Sequence, residues 1–305
     1  MSKEIILRTS NLGKRYKSRW AVEDVDLEIH RGDVFGFLGP NGAGKSTTIR
    51  MILSLIKPTT GYVELFGHRL EKEREKALAK VGGIVEKPDF YLYLSAFRNM
   101  EIAGSLTLKK TPEKRKILDS LALVGLQDRA GDRVKTFSHG MKQRLGIAQA
   151  LLCDPDLVVL DEPTNGLDPQ GMKEVRELIA RLSHDHGITV FLSSHLLNEV
   201  EQVATRMAII NKGKLIVQGS VEELLQSSAR RILFNVEPQK KALAVLKKAK
   251  SVENATLDST GIVANVDTKD IPEIIATLVA AKCKVFSVNQ QRSLEEYFLS
   301  VTEGS

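Results

Sequence analysis

Cysteine is nearly absent: Cys153 and Cys283 are the only two in 305 residues. That excludes a disulfide framework, and a single bridge would be out of place in a reducing compartment. Both are therefore expected to be buried as small apolar residues. Long hydrophobic runs are missing as well. No apolar stretch approaches the ~18 uninterrupted residues that suggest a membrane span. The opening Met1-Ser2-Lys3-Glu4 leads straight into Ile5-Ile6-Leu7, too short an apolar segment for a signal peptide. The chain is expected in the cytoplasm, with any membrane work done through a partner. Nor is there a large excess of one charge. The formal net charge of +6 admits nucleic acid or an anionic membrane surface, but it is modest for this length and reads first as a solvated surface with a slight basic surplus. Composition does not decide the partner; no specific nucleic-acid partner is expected from the chain as a whole. No long internal repeat or low-complexity tract stands out.

What is present is an ordinary globular composition, 42% hydrophobic and 27% charged, with length for roughly two domains of ~150 residues. Val25, Leu27 and Ile29 alternate with polar residues, as half-buried strands do. Val34-Phe35-Gly36-Phe37-Leu38 is almost continuously apolar, the pattern of a central strand covered on both faces. After a glycine-rich turn, Ile49, Ile52, Leu53 and Ile56 fall at helical spacing, and Pro58 is expected to stop that helix. Leu157–Leu160 and Ile188–Leu192 are further buried-strand candidates with a helical stretch between them. Strand and helix alternate, which predicts an α/β fold on a mainly parallel sheet with helices on both faces.

A boundary is expected near Ser227-Ser228, giving domains 1–228 and 229–305. Ser220 with Glu223 has the spacing of a capping box that opens the last helix of the first domain. Beyond it the pattern reads strand (Ile232–Val236), helix, two strands around Gly261, helix, strand (Lys284–Val288) and a final helix. Asp270 with Glu273 and Ser293 with Glu296 mark two of the helix starts. This order suits a small ferredoxin-like α+β accessory domain.

Gly39-Pro40-Asn41-Gly42-Ala43-Gly44-Lys45-Ser46, followed by Thr47, matches the phosphate loop G-x-x-x-x-G-K-[ST] in full. Glycines let successive backbone N–H groups turn toward one anion, which side chains would obstruct. The helix that follows adds the positive end of its dipole. Lys45 supplies a mobile cation for the β- and γ-phosphates of ATP, and Ser46 offers a hydroxyl to Mg²⁺. Asp161 and Glu162 end the apolar run Leu157–Leu160. Asp161 can hold Mg²⁺ directly or through water. Glu162 is placed to orient or deprotonate the attacking water.

These residues, together with Ser138-His139-Gly140-Met141-Lys142-Gln143-Arg144, Gly166-Leu167-Asp168-Pro169 and His195, resemble the ATP-binding cassette (ABC) ATPases in order and spacing over about residues 4–225. The resemblance implies a P-loop NTPase cassette with a mainly parallel sheet, an antiparallel β subdomain and a helical subdomain. It implies that Tyr16 stacks on adenine and that His195 is a switch histidine contacting the γ-phosphate. Ser138 and Gly140 would meet the γ-phosphate of the nucleotide held by the opposite subunit. Asp168 would couple the two sites. One phosphate loop and one signature helix per chain thus imply a homodimer around two ATP molecules, powering a separate multi-span membrane permease. The alternative, a non-transport cassette acting on ribosomes or nucleic acid, usually carries two cassettes or a long coiled coil, and this chain has neither.

Two departures from the family pattern stand out. His139 occupies a position usually held by glycine, which adds bulk to the entry of the signature helix. Glu86, in Gly82-Gly83-Ile84-Val85-Glu86, stands where Gln is common, at the residue that touches Mg²⁺ or the attacking water and signals to the membrane subunit. A glutamate there resembles cassettes that export peptide antibiotics for self-protection. The aromatic group Phe90, Tyr91, Tyr93 and Phe97 suits a groove for a helix of the membrane subunit. The acid-free run Lys240, Lys241, Lys247, Lys248 and Lys250 reads first as a solvated helix face and second as a patch attracted to an anionic membrane surface.

Overall fold

Hydrophobic continuity decides the centre of the fold. Every residue of Val34–Leu38, Leu157–Leu160 and Thr189–Ser194 is buried, and strands buried on both sides belong inside a sheet covered on both faces. The computed structural model describes residues 4–86, 88–228, 231–258 and 261–290. The chain begins β1 (Ile5–Tyr16), β2 (Arg19–Val25), β3 (Glu28–His30), β4 (Val34–Leu38), α1 (Lys45–Ile52), β5 (Thr60–Leu65), β6 (His68–Arg69), α2 (Arg74–Leu78) and β7 (Val81–Ile84). It continues α3 (Ala96–Leu108), α4 (Lys114–Leu123), α5 (His139–Leu151), β8 (Leu157–Leu160), α6 (Pro169–His184), β9 (Thr189–Ser194), α7 (Leu197–Glu201), β10 (Arg206–Asn211) and β11 (Lys214–Ser220).

The central sheet runs β11-β10-β4-β9-β8-β7, and each neighbouring pair from β10 to β7 is parallel. A second sheet is antiparallel: β1 pairs with β2, β3 and β5, and β5 with β6. The mainly parallel sheet and the antiparallel part expected from the sequence are both present. In the core, the Phe191 ring lies 5.7 Å from that of Phe35 and 5.5 Å from that of Phe37, tying β9 to β4. Each such pair contributes about 0.5–1.5 kcal/mol beyond the area it buries.

One helix end differs from expectation. α1 stops at Ile52, well before Pro58. Ser54 adopts φ +56°. Its N–H donates to the Met51 carbonyl at 3.0 Å, and the Leu55 N–H donates to the Arg50 carbonyl at 2.8 Å. This is a Schellman ending with serine in the left-handed position. It satisfies the terminal carbonyls, so the helix closes without any contribution from proline.

The chain divides into two units, residues 1–219 and 220–305, so the division falls before the helix expected to close the first domain, not after it. The second opens with α8 (Val221–Ser228). Both halves of its capping box form: the Ser220 N–H donates to Glu223 at 3.2 Å, and the Glu223 N–H donates to Ser220 Oγ at 3.1 Å. Then come β12 (Arg231–Glu237), α9 (Gln239–Leu246), β13 (Val252–Asp258), β14 (Gly261–Val266), α10 (Ile271–Ala280) and β15 (Lys284–Gln290). The sheet order is β13-β14-β12-β15, antiparallel throughout. Ile232, Phe234, Ile262, Ile274 and Leu278 fill its core. Asp270 is the N-cap of α10 but makes no side-chain cap bond, because a short 3₁₀ turn before it draws its backbone into the helical region. The helix start read at Ser293 and Glu296 lies outside the described residues. Neither cysteine is bridged; Cys283 is buried and Cys153 half-buried.

Candidate nucleotide site

The parallel strands end on one side of the sheet, and the loops leaving those ends carry the chemistry. Open α/β sheets bind ligands at that edge. From β4 the chain turns through Gly39–Gly44 into α1. Gly44 has φ +114°, and a Cβ there would sit 2.7 Å from the Ala21 carbonyl oxygen, so only glycine closes the turn. Lys45, the first residue of α1, is 5% exposed. Its Nζ donates to the Gly39 carbonyl at 2.7 Å and the Pro40 carbonyl at 3.3 Å, folding back along the loop it follows.

Asp161 and Glu162 leave β8 beside this loop. Ser193 on the neighbouring β9 holds both: its Oγ donates to Asp161 Oδ1 at 2.6 Å and accepts from the Glu162 N–H at 2.9 Å. Glu162 adopts φ +50°. Its carboxylate lies between two partners, Lys45 Nζ at 3.2 Å and His195 Nδ1 at 2.5 Å. Glu86 also has positive φ, +67°, and pairs with Arg50 on α1. Non-glycine residues held at positive φ cost of order 1–3 kcal/mol each and cluster at functional sites.

A cavity of about 430 Å³ is lined by Asn41, Ser46, Glu86, Gln143, Asp161, Glu162, Asn165 and His195. Residues from five separate stretches of sequence thus meet at one place. Among the described residues no group of three or more His, Cys, Asp or Glu forms a metal cage. Ser46, Glu86 and the buried Asp161 carboxylate are hard oxygen donors. They suit Mg²⁺, which keeps several waters and takes the rest of its shell from substrate phosphates.

The other expected site residues lie elsewhere. Tyr16, half-exposed at the end of β1, has Lys14 Nζ 5.3 Å from its ring centroid. Ser138 and Asp168 are helix N-caps: Ser138 Oγ accepts from the Met141 N–H at 3.2 Å, and Asp168 Oδ1 from the Gly171 N–H at 3.1 Å. Gly140 faces α6, where a Cβ would lie 3.6 Å from Gly171 Cα. Ser138, Gly140 and Asp168 do not line the cavity. Of the aromatic group, Tyr91 and Tyr93 are exposed, with rings 6.2 Å apart.

Arg50, Asn165 and Ser193 escaped the sequence reading, and Gln143 entered it only as a member of the signature motif, not as a cavity residue. Ser193 carried one legible signal, a hydroxyl directly after the apolar run Val190–Leu192.

A parallel sheet with a phosphate loop after one central strand and an acidic pair after another defines a P-loop nucleotide-binding protein. Residues 22–165 match the ABC transporter family. The chain is 42% identical over 258 residues to the bacitracin transport ATP-binding protein BcrA of Bacillus licheniformis, covering 85% of this chain and 84% of that protein. It is 41% identical over 233 residues to the lantibiotic transport ATP-binding protein SrtF of Streptococcus pyogenes, covering 75% of this chain and 98% of that one. Its fold is similar to the dimeric post-hydrolysis structure of the ATP-binding cassette MJ0796 bound to ADP and Pi, with TM-score 0.63 and 24% identity over 71% of this chain and 99% of that chain. The chain belongs to the ATP-binding subunits of ABC transporters.

Proposed function

We propose that this chain hydrolyses ATP to ADP and phosphate and thereby drives export through a separate membrane-spanning permease. The observation that carries the reading is the convergence of Ser46, Glu86, Asp161, Glu162 and His195 on one cavity, with Lys45 pairing Glu162 at its edge. The phosphate loop, Gly39 to Thr47, takes the β- and γ-phosphates through its backbone N–H groups and Lys45. When bound, Mg²⁺ neutralises phosphate charge, with Ser46, Asp161 and Glu86 as its protein-side donors. Tyr16 stacks on adenine. As the γ-phosphate claims Lys45, the Glu162 carboxylate is released to accept a proton from water. The water oxygen bonds to the γ-phosphorus, the bond to the bridging oxygen breaks, and ADP carries away the electron pair. His195 holds the Glu162 carboxylate and reaches the γ-phosphate.

Ser138, Gly140 and Asp168, away from this cavity, serve the nucleotide of a second copy, so two chains close around two ATP molecules. The dimeric form of the cassette noted above supports that assembly. Among the described residues no helix is long and apolar enough to cross a membrane, which fits attachment to the inner face of the membrane through the permease. The names of BcrA and SrtF, together with Glu86, favour peptide antibiotics as cargo. The second unit serves as an accessory domain of ferredoxin-like type, as the β12-α9-β13-β14-α10-β15 order supports.

The test is phosphate release by the purified chain, alone and reconstituted with the multi-span membrane protein that co-purifies with it. Lys45→Ala should abolish release and weaken ATP binding. Unchanged turnover in that variant removes the site assignment.

A further inference from the structure

We infer that His139 is a positioning residue for hydrolysis, tying the turn that follows Glu162 to the start of the signature helix. Its Nδ1 lies 2.9 Å from the Gly166 carbonyl oxygen. A carbonyl oxygen only accepts, so Nδ1 carries the proton and donates. Gly166 has φ +74°, and a Cβ there would press on the imidazole at 3.3 Å from Cε1. Ring and turn are therefore fitted to each other.

The turn itself starts at Glu162. The Asn165 N–H donates to the Glu162 carbonyl at 3.1 Å and the Leu167 N–H to the Thr164 carbonyl at 3.3 Å, after which Asp168 caps α6. Farther along the same two helices, Arg144 of α5 pairs with Glu174 of α6 at 3.3 Å. α5 and α6 thus form one body, and His139 adds the turn between Glu162 and Asp168 to it. Glycine, the residue usual at this position in the family, has no side chain with which to make this link. Glu162 anchors one end of the turn, and its backbone sits at positive φ. Loosening the other end spreads the orientations of its carboxylate without touching the phosphate loop. His139 does not line the cavity of its own copy; it acts through Glu162 and Asp168.

This rests on the proposed hydrolysis, and the test separates the two. The variants are His139→Ala, His139→Asn and His139→Gln. The Asn amide nitrogen falls near the place of Nδ1, whereas the Gln amide reaches the place of Nε2. In His139→Ala and His139→Gln, kcat should fall roughly 3–10-fold, the scale of one hydrogen bond, with KM for ATP and the thermal midpoint unchanged. His139→Asn should restore most of the rate, which a purely structural role would not require. Amide hydrogen exchange over residues 164–168, measured without ATP, should speed up by a similar factor in Ala and Gln and return toward the parent rate in Asn. Unaltered exchange in His139→Ala overturns the link even if the chain proves to have no ATPase activity. Unaltered kcat, or a rise in KM at constant kcat, overturns its role in hydrolysis.

Discussion

Replacing Glu162 by Gln keeps the side chain's size and one accepting oxygen while removing a charge and the base. Three separate consequences are expected. Glu162 Oε1 lies 3.2 Å from Lys45 Nζ, so at an effective dielectric of about 20 their gross attraction is about 5 kcal/mol. An incoming γ-phosphate has to take Lys45 away from that carboxylate. Glutamine holds Lys45 far less strongly, so ATP affinity should stay level or tighten. The amide cannot accept the proton of water, so hydrolysis should fall by the ~10²–10⁴-fold typical of general-base loss, a barrier rise of about 3–5 kcal/mol. Binding without hydrolysis should then accumulate the closed dimer, whose second half of the site is Ser138 and Gly140 of the opposite copy. Titration with a fluorescent ATP analogue measures the first effect, phosphate release the second, and size-exclusion chromatography with light scattering the third. Wild-type turnover would falsify the assignment of Glu162 as base. A variant whose ATP affinity drops tenfold would show that Glu162 belongs to the binding machinery, contrary to the argument from Lys45. A variant that binds ATP yet stays monomeric at every concentration tried counts against the composite site.

Other perturbations probe separate parts of the molecule. Glu86→Gln should retain ATP binding and measurable ATPase activity but reduce stimulation by the reconstituted permease; a Glu86→Ala variant with both stimulation and cargo movement unchanged would remove Glu86 as the sensor. A chain ending at Ser228 should still bind ATP, since every site residue precedes it, and loss of binding in a truncation that keeps a folded circular-dichroism spectrum would defeat the modular reading. Burial pushes the Cys153 thiol above its ordinary value. At a given pH less thiolate is present, so Cys153 should alkylate more slowly with iodoacetamide than a small free thiol. Peptide mass analysis that finds it reacting as fast would contradict its placement.

Much of this protein is written locally in its sequence. The phosphate loop is legible because its constraint is local: consecutive glycines, a lysine and a hydroxyl acting through one turn and one helix start. The buried strands are legible because apolar runs have few places to go. The capping box at Ser220 and Glu223 is legible because both partners lie within one turn. Order and spacing of short motifs were enough to indicate the family.

Only the tertiary structure decided which of these pieces touch. Ser193 holds both Asp161 and Glu162, but the three meet only because β8 and β9 are parallel neighbours. Arg50 faces Glu86 across the gap between α1 and β7, and Gln143 reaches the cavity from α5. The end of α1 lay hidden for a related reason. Serine rarely takes the left-handed cap position, and nothing in the local pattern announced it ahead of Pro58. His139 makes the point most sharply. In the sequence it is a departure of unknown effect; in the fold its proton donor meets the carbonyl of Gly166, twenty-seven residues away. Motif chemistry is encoded residue by residue, whereas the coupling between motifs depends on how two helices and a turn pack.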